Sequence, residues 1–521
     1  MKLRLTLYLT AVLPALLVPA GRSACQQYYA PESERMQNEA DNIRYGSAGA
    51  TRLAGNSLRD WGSGTLDYTH MAGGFKAVNM PDRTGTLSVG LGGLKNLGKV
   101  DVAGYLVYDN ITEDGRNWNS SLGLDPANPF FTADSTAGKS STERFRMAAE
   151  LSWKATSRLT LGASVKLTTA QLSDNTDPRP KVNHSRIPVC LAADFGFTEK
   201  WRGGVFAGAE LLNETLGYTV VSTGKNHQYF VMKGLGDYYR MSSLTESGYN
   251  RECLGKSFFA GVNLLSEGGA VENFFEASVR TNSENAASEQ AKWHAGDFSA
   301  LTFCASDRLR IGSGRVRHNL IVDAAYKTGE GWWYEQKKLT DTEHGSVIYY
   351  EILSKDKIHR STDIDAGLRY RLDAGRGSFT SELRYGSGSV VHYNDSGAHS
   401  RQIDRLSFSA EGTRGGMKLG LFELRATGGA KAVLPLAPAA FDGACNYTGS
   451  ADIDPVYTEP LYNYDTTGYW GLCARLDASV ALDFRGTAAK VGLFAAGASD
   501  FAFGGRGSRA TLRAGLFINT R

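Results

Sequence analysis

The sequence predicts an all-β protein, a transmembrane antiparallel up-and-down β-barrel of about 18 strands, within about 14 to 18, with an N-terminal segment placed to plug the lumen. Three observations carry this expectation. Apolar and polar residues alternate at strand length again and again; the connections between these stretches alternate short and long in unbroken phase; and the chain opens with an export signal.

The alternation is clearest at 143–169. Phe145, Met147, Ala149, Leu151 and Trp153 alternate with Arg146, Ala148, Glu150, Ser152 and Lys154. After the turn 155–157, Leu159, Leu161, Ala163, Val165 and Leu167 alternate with Arg158, Thr160, Gly162, Ser164 and Lys166, giving a hairpin with one apolar and one polar face. In a sandwich the apolar face meets a core, in a membrane barrel it meets lipid, and one hairpin alone fits both.

The N-terminus supplies the address. Lys2 and Arg4 precede an apolar run, 5–20, and then the small residues Gly21, Ser23 and Ala24, so residues 1–25 read as a secretory signal peptide, too short and wrongly flanked to span a membrane as a helix. Arg22 stands where a lipobox has Leu or Val, which argues against lipidation of Cys25. Composition agrees with export of a strand-rich chain: 60 Gly, 24 Tyr and 23 Phe against 13 Pro suit many short strands and tight turns. A net charge of only +3, dispersed through the strands, leaves no electrostatic footprint for nucleic acid.

The mature chain begins with a polar leader, 26–62, carrying the small-residue run Gly46, Ser47, Ala48, Gly49 and Ala50 and expected either to fold back into the lumen or to hang as a periplasmic tail. The barrel is expected over 63–521. Short turns are expected at 95–99, 155–157, 198–200, 266–269, 373–376 and 413–416. Long loops are expected at 110–142, 174–186, 213–253, 281–292, 331–355 and 434–467. The cleanest strand is last but two, Leu472, Ala474, Leu476, Ala478, Val480 and Leu482 against Arg475, Asp477, Ser479 and Asp483. Short turns on one side, long loops on the other and both chain ends on the short-turn side fit an even-stranded outer-membrane barrel, and outer-membrane lipid is then the first expected partner.

Residues 128–134, Asn-Pro-Phe-Phe-Thr-Ala-Asp, and 177–181, Asp-Pro-Arg-Pro-Lys, together with the leader, resemble an uncharacterised family of outer-membrane β-barrel proteins of Bacteroidota, a domain of unknown function. The resemblance implies the barrel and its location and brings no activity. Residues 46–54 are also similar to the leader of the long-chain fatty-acid transporter family, whose Asn-Pro-Ala-Gly-Leu reads Gly-Ser-Ala-Gly-Ala here.

The polar face places Arg146, Glu150, Lys154, Arg158, Asp363, Asp365, Arg369, Arg371, Arg475 and Asp477 as candidate lumen-lining residues, with Asp194, Glu276, Glu382 and Arg384 among others of both signs. Their plainest role is to pair across strands and with the leader; the sharper one is to select a solute. Enzyme signatures fail. Gly138-Lys139-Ser140 and Gly255-Lys256-Ser257 lack the earlier glycine of a phosphate loop, and His359, Ser361 and Asp363 share a face at strand spacing as an ordinary polar row would. Cys190, Cys253, Cys304, Cys445 and Cys473 lie too far apart for a metal or redox motif, although Cys253 and Cys445, both in expected loops, could pair. No cofactor, metal site or catalytic residue is expected. The functional expectation is a channel or substrate-specific transporter for small molecules; the alternative is a surface binding or assembly component, anchored by its barrel, whose long loops engage an outer-membrane or surface protein.

Overall fold

The computed structural model describes residues 42–56, 60–222, 227–244, 249–288, 293–312, 315–342, 347–436, 440–443, 452–484 and 487–520. The expected signal peptide, the first part of the leader and Cys445 lie outside the described residues.

The strands in order are β1 (Trp61–Gly73), β2 (Arg83–Asn96), β3 (Val100–Arg116), β4 (Thr132–Asp134), β5 (Gly138–Lys154), β6 (Leu159–Asp174), β7 (Arg179–Gly196), β8 (Trp201–Thr219), β9 (His227–Gly234), β10 (Asp237–Leu244), β11 (Tyr249–Ser266), β12 (Val271–Ser288), β13 (Trp293–Ile311), β14 (Val316–Asp341), β15 (Val347–Ala374), β16 (Gly377–Asn394), β17 (Gly397–Leu419), β18 (Phe422–Pro435), β19 (Ala440–Phe441), β20 (Tyr469–Phe484), β21 (Thr487–Ala502) and β22 (Ser508–Thr520). One antiparallel sheet holds nineteen of them; β19 is a two-residue appendage on β17, and the other eighteen close on themselves where β1 pairs with β22 from Gly62↔Thr520 to Gly73↔Arg509. Closure removes every sheet edge, which is what permits strands to cross hydrocarbon. A helical turn, 50–55, belongs to the leader, and a short helix, α1 (Glu459–Asp465), lies in the loop before β20.

The two faces separate as the alternation requires. Outward residues such as Leu66, Leu151, Val205, Phe258, Leu383, Leu476 and Leu516 are exposed, forming an apolar belt, while Glu150, Ser152, Asp194 and Ser479 on the opposite face are buried. Above the belt this relation inverts. On β6, β7 and β8, Leu172, Val182 and Leu216 point inward and are buried, while Gln171, Lys181 and Asn183 point outward and are exposed.

That inversion corrects several expected boundaries. The loop expected at 174–186 shrinks to 175–178, and those expected at 281–292 and 331–355 are mostly strand, with Trp332, Trp333, Tyr349 and Tyr350 on β14 and β15. The apolar alternation stops there because the outer face has left lipid, and not because the strands end. Glycines 415 and 416 do not form a turn but a bulge inside β17, between Arg414 and Met417, with Gly416 at φ 69°. Cys253 is on β11 rather than in a loop, and is buried.

Candidate lumenal site

Two bodies of polypeptide sit inside the barrel. The lower one is the leader, 42–56. Arg44 forms a buried ion pair with Asp194 on β7, and Arg52 another with Glu150 on β5, beside which Lys166 of β6 stands 3.9 Å from the same carboxylate. Ser47 donates to Glu276 on β12, and Arg308 on β13 donates to the carbonyl of Tyr45. Ile43 packs with Leu265 and Phe274, and Leu53 with Trp61, Leu94 and Ala103. Each carboxylate is thus matched by a cation or hydroxyl on the leader, which is the condition for charge to be tolerated away from water.

The leader lies close to the wall because glycine lets it. A Cβ on Gly162 would stand 2.6 Å from the Thr51 amide nitrogen, a separation that no side chain allows. Gly46 turns the leader at φ +87°, against the Arg308 guanidinium, in a conformation glycine adopts without strain.

The upper body, here called the cap, is built from the long loops. Strands β10, β9 and β4 form a small three-stranded sheet. Residues 128–134 are its centre: Phe130 and Ala133 are fully buried, and Phe130 packs with Leu172, Val182, Trp293, Phe298 and Trp333. Trp118 stacks on Phe230 and on Tyr457, the latter just before α1. Wall residues hold the cap through its backbone. Glu214 on β8 accepts from the amides of Leu122 (3.1 Å) and Gly123 (2.8 Å), and Glu284 on β12 accepts from the amide of Asp125 (3.0 Å) and the side chain of Asn128 (2.7 Å). Arg251 on β11 donates to Thr132 and to the Phe130 carbonyl, and Lys327 on β14 pairs with Asp125. Across the mouth, His392 on β16 meets Asp237 at 2.9 Å, and Arg405 on β17 meets Asp465 of α1 at 2.8 Å.

The expected lumen-lining residues divide accordingly. Glu150 holds the leader; Arg146 pairs with Asp109 at 3.0 Å; Lys154 is half-buried at the last rung of β5. Arg158 is a correction: it belongs to the β5–β6 turn and is exposed at the rim, where its carbonyl accepts from the Gly196 amide, so it does not line the lumen. Asp365 pairs with Arg384, Arg369 with Glu382 at 3.1 Å, Arg371 with Asp373 at 2.9 Å, and Arg475 with Asp477 at 2.7 Å. Asp363 is half-buried beside Gly388. His359 faces the His392 ring, centroids 6.5 Å apart, and the bend of the cap at Gly234. Glu214, Arg251 and Glu284, which hold the cap, were hidden in stretches expected to be loop; the run Glu210, Leu212, Glu214, Leu216 at period two was the signal that could have found Glu214.

The fold and lumen together define a closed eighteen-stranded antiparallel barrel carrying its own polypeptide inside. Residues 50–519 match a family of unknown function (DUF6850), and the chain belongs to that family. None of the curated proteins matches it. Among solved structures, the ferric preacinetobactin receptor BauA of Acinetobacter baumannii is similar over 87% of this chain and 80% of its own at 10% identity and a TM-score of 0.41. The outer membrane transporter YddB of Escherichia coli is similar over 87% and 80% at 9% identity and 0.39, and a FadL homologue of Pseudomonas aeruginosa over 91% and 92% at 10% and 0.31. TM-scores below 0.5 bear on neither substrate nor mechanism.

Proposed function

We propose that this protein is an outer-membrane transporter for a small hydrophilic solute, its apolar belt set in lipid and its lumen governed by the cap outside and the leader inside. The observation that carries the reading is the pairing of leader and cap with inward carboxylates and cations of the wall, while other charged side chains of the lumen keep water: Asp194 and Glu150 are 2% and 1% exposed, Asp365 and Arg369 37% and 29%. A lumen lined by both signs suits a polar solute and repels an apolar one. Cleavage of the signal peptide and a source in Bacteroidota, as the resemblance of 128–134 and 177–181 implies, belong to the same reading. The experiment is flux of glucose and of glycylglycine into proteoliposomes, for the intact protein and for a Glu214→Ala, Glu284→Ala double variant whose cap has lost its two carboxylate anchors. Flux that rises in the variant supports the reading; no flux through either protein rejects it.

A second reading, a surface-binding protein anchored by its barrel, rests on β14 and β15. Their pairing continues to Asp341↔Val347, whereas β13 leaves β14 at Trp332 and β16 leaves β15 at His359, so a two-stranded ribbon projects beyond both neighbours. Deleting 335–353 while flux persists unchanged would separate the ribbon from transport.

A further inference from the structure

Leader and cap lean on the same half of the barrel. The leader's ion pairs and hydrogen bonds go to β5, β7, β12 and β13, and its helical turn packs on β3, β5, β6 and β7. The cap's carboxylate, guanidinium and ammonium anchors, Glu214, Glu284, Arg251 and Lys327, are on β8, β12, β11 and β14. Toward β15–β17 the cap is held by side-chain contacts, His392 with Asp237 and Arg401 and Arg405 with Asp465. Above, this wall is covered, with His359, Ser361 and His392 buried; farther down it has open space at Gly386. Gly386 stands in register between Asp365 on β15 and Arg405 on β17, and among the described residues a Cβ added there would meet nothing within 4 Å.

We infer that the solute crosses along the β15–β17 side, between that wall and the inserted polypeptide, and that the leader stays docked on β5–β7 throughout. The inference rests on the transport reading. Releasing the leader would take Arg44 from Asp194 and Arg52 from Glu150, both buried carboxylates, whereas a solute at Gly386 meets a carboxylate on one side and a guanidinium on the other without disturbing either pair with the leader. Gly386 is then a width-determining residue, since any side chain there projects into the passage.

The test locks the leader. A Cβ at Gly49 would lie 3.2 Å from the Ala192 Cβ, near the roughly 3.5 to 4.5 Å that a disulfide spans. Gly49→Cys with Ala192→Cys is placed in the cap-loosened Glu214→Ala, Glu284→Ala protein, with Cys190→Ser to remove the neighbouring thiol, and closure of the bond is verified by mass spectrometry. Glycylglycine and glucose flux is then measured oxidised and reduced. Equal flux in both states is the expected result. Flux lost on oxidation and restored by reduction would overturn the inference and leave the transport reading standing, whereas no flux in either state would remove both. In the same background, Gly386→Trp is expected to reduce flux to that of empty liposomes while the barrel keeps its heat-modifiable gel mobility. Unchanged flux through a folded Gly386→Trp protein would also overturn the route.

Discussion

Arg44 and Asp194, 150 positions apart in sequence, meet in a buried ion pair inside the barrel. Nothing local brings them together; the pair exists only when β7 is in the wall and the leader has entered the lumen. Removing one partner strands the other's charge away from water, a cost of about 3 to 5 kcal/mol. Asp194→Ala is therefore expected to loosen the leader, and trypsin supplied on the periplasmic side should cleave after Arg44 or Arg52 in the variant but not in the parent. Resistance equal to the parent's would show that the ion pair does not hold the leader.

A second prediction uses the faces. Leu151 and Leu476 are 40% and 51% exposed on the outer wall, so Leu151→Arg and Leu476→Arg place a charge in hydrocarbon at about 2 to 4 kcal/mol each. Ser409→Arg, on the lumenal side of β17 opposite Glu382, should unfold in urea close to the parent. The alternation alone suggests that Ser152 would tolerate Arg equally, but Ser152 is 0% exposed on the leader-covered wall, and Ser152→Arg is expected to be as damaging as the outer substitutions. Urea titration of all four proteins, followed by gel mobility, checks the order.

The cap depends on Phe130. Its ring is fully buried among Leu172, Val182, Phe298 and Trp333, and truncation of such a side chain to Ala costs about 3 to 5 kcal/mol. Phe130→Ala should speed hydrogen exchange through residues 117–137 and 227–234 while exchange in β20 to β22 is unchanged. Uniform acceleration throughout would mean that cap and barrel unfold as one.

Docking of the cap should also depend on pH. Burial first, and then the nearby Asp174, push the Asp134 carboxyl up to about 7, against the opposing hydrogen bond from the Thr136 amide. A carboxyl whose folded value lies above its ordinary value of about 4 favours the protonated cap, so this stabilisation is fully present below about pH 4 and is lost as pH rises through about 7. Proteolysis of residues 117–137 is expected to accelerate between about pH 5 and about pH 8, and Asp134→Asn to flatten the dependence. An Asn variant with the parent's pH profile would assign the effect elsewhere.

The barrel was legible because lipid imposes one rule on every strand: Leu151, Leu476 and their neighbours must alternate with polar residues for about ten positions, and a closed sheet must return to its starting side. The lumen was legible only in part. Glu150, Asp194 and Glu276 could be placed on the inner face, but which of them meets the leader depends on close approach at Gly162, and a glycine among many carries no mark of that role. The cap was not legible. Its wall reverses the rule, with Leu172 and Val182 turned inward where water lies outside, and a reader following apolar residues outward begins β7 too late, at Ile187, and ends β8 too early, before Asn213. The segment 128–134 could be singled out by resemblance, and its reason appears only when Phe130 is seen at the centre of strands that are far apart in the chain.

The inward-turned upper wall has a consequence for how the molecule is made. The apolar centre of the cap is enclosed by side chains from β6, β7, β8, β11, β13 and β14, so it cannot come into existence while those strands are unpaired; a core assembled from such distant partners forms late. The cap is therefore a built-in record of completed insertion. A chain whose barrel has not closed shows Phe130, Tyr218 and Trp293 to water and to whatever proteases and chaperones patrol the envelope, and a finished one conceals them, so the same residues that govern the mouth of the mature protein also distinguish it from its own unfinished forms.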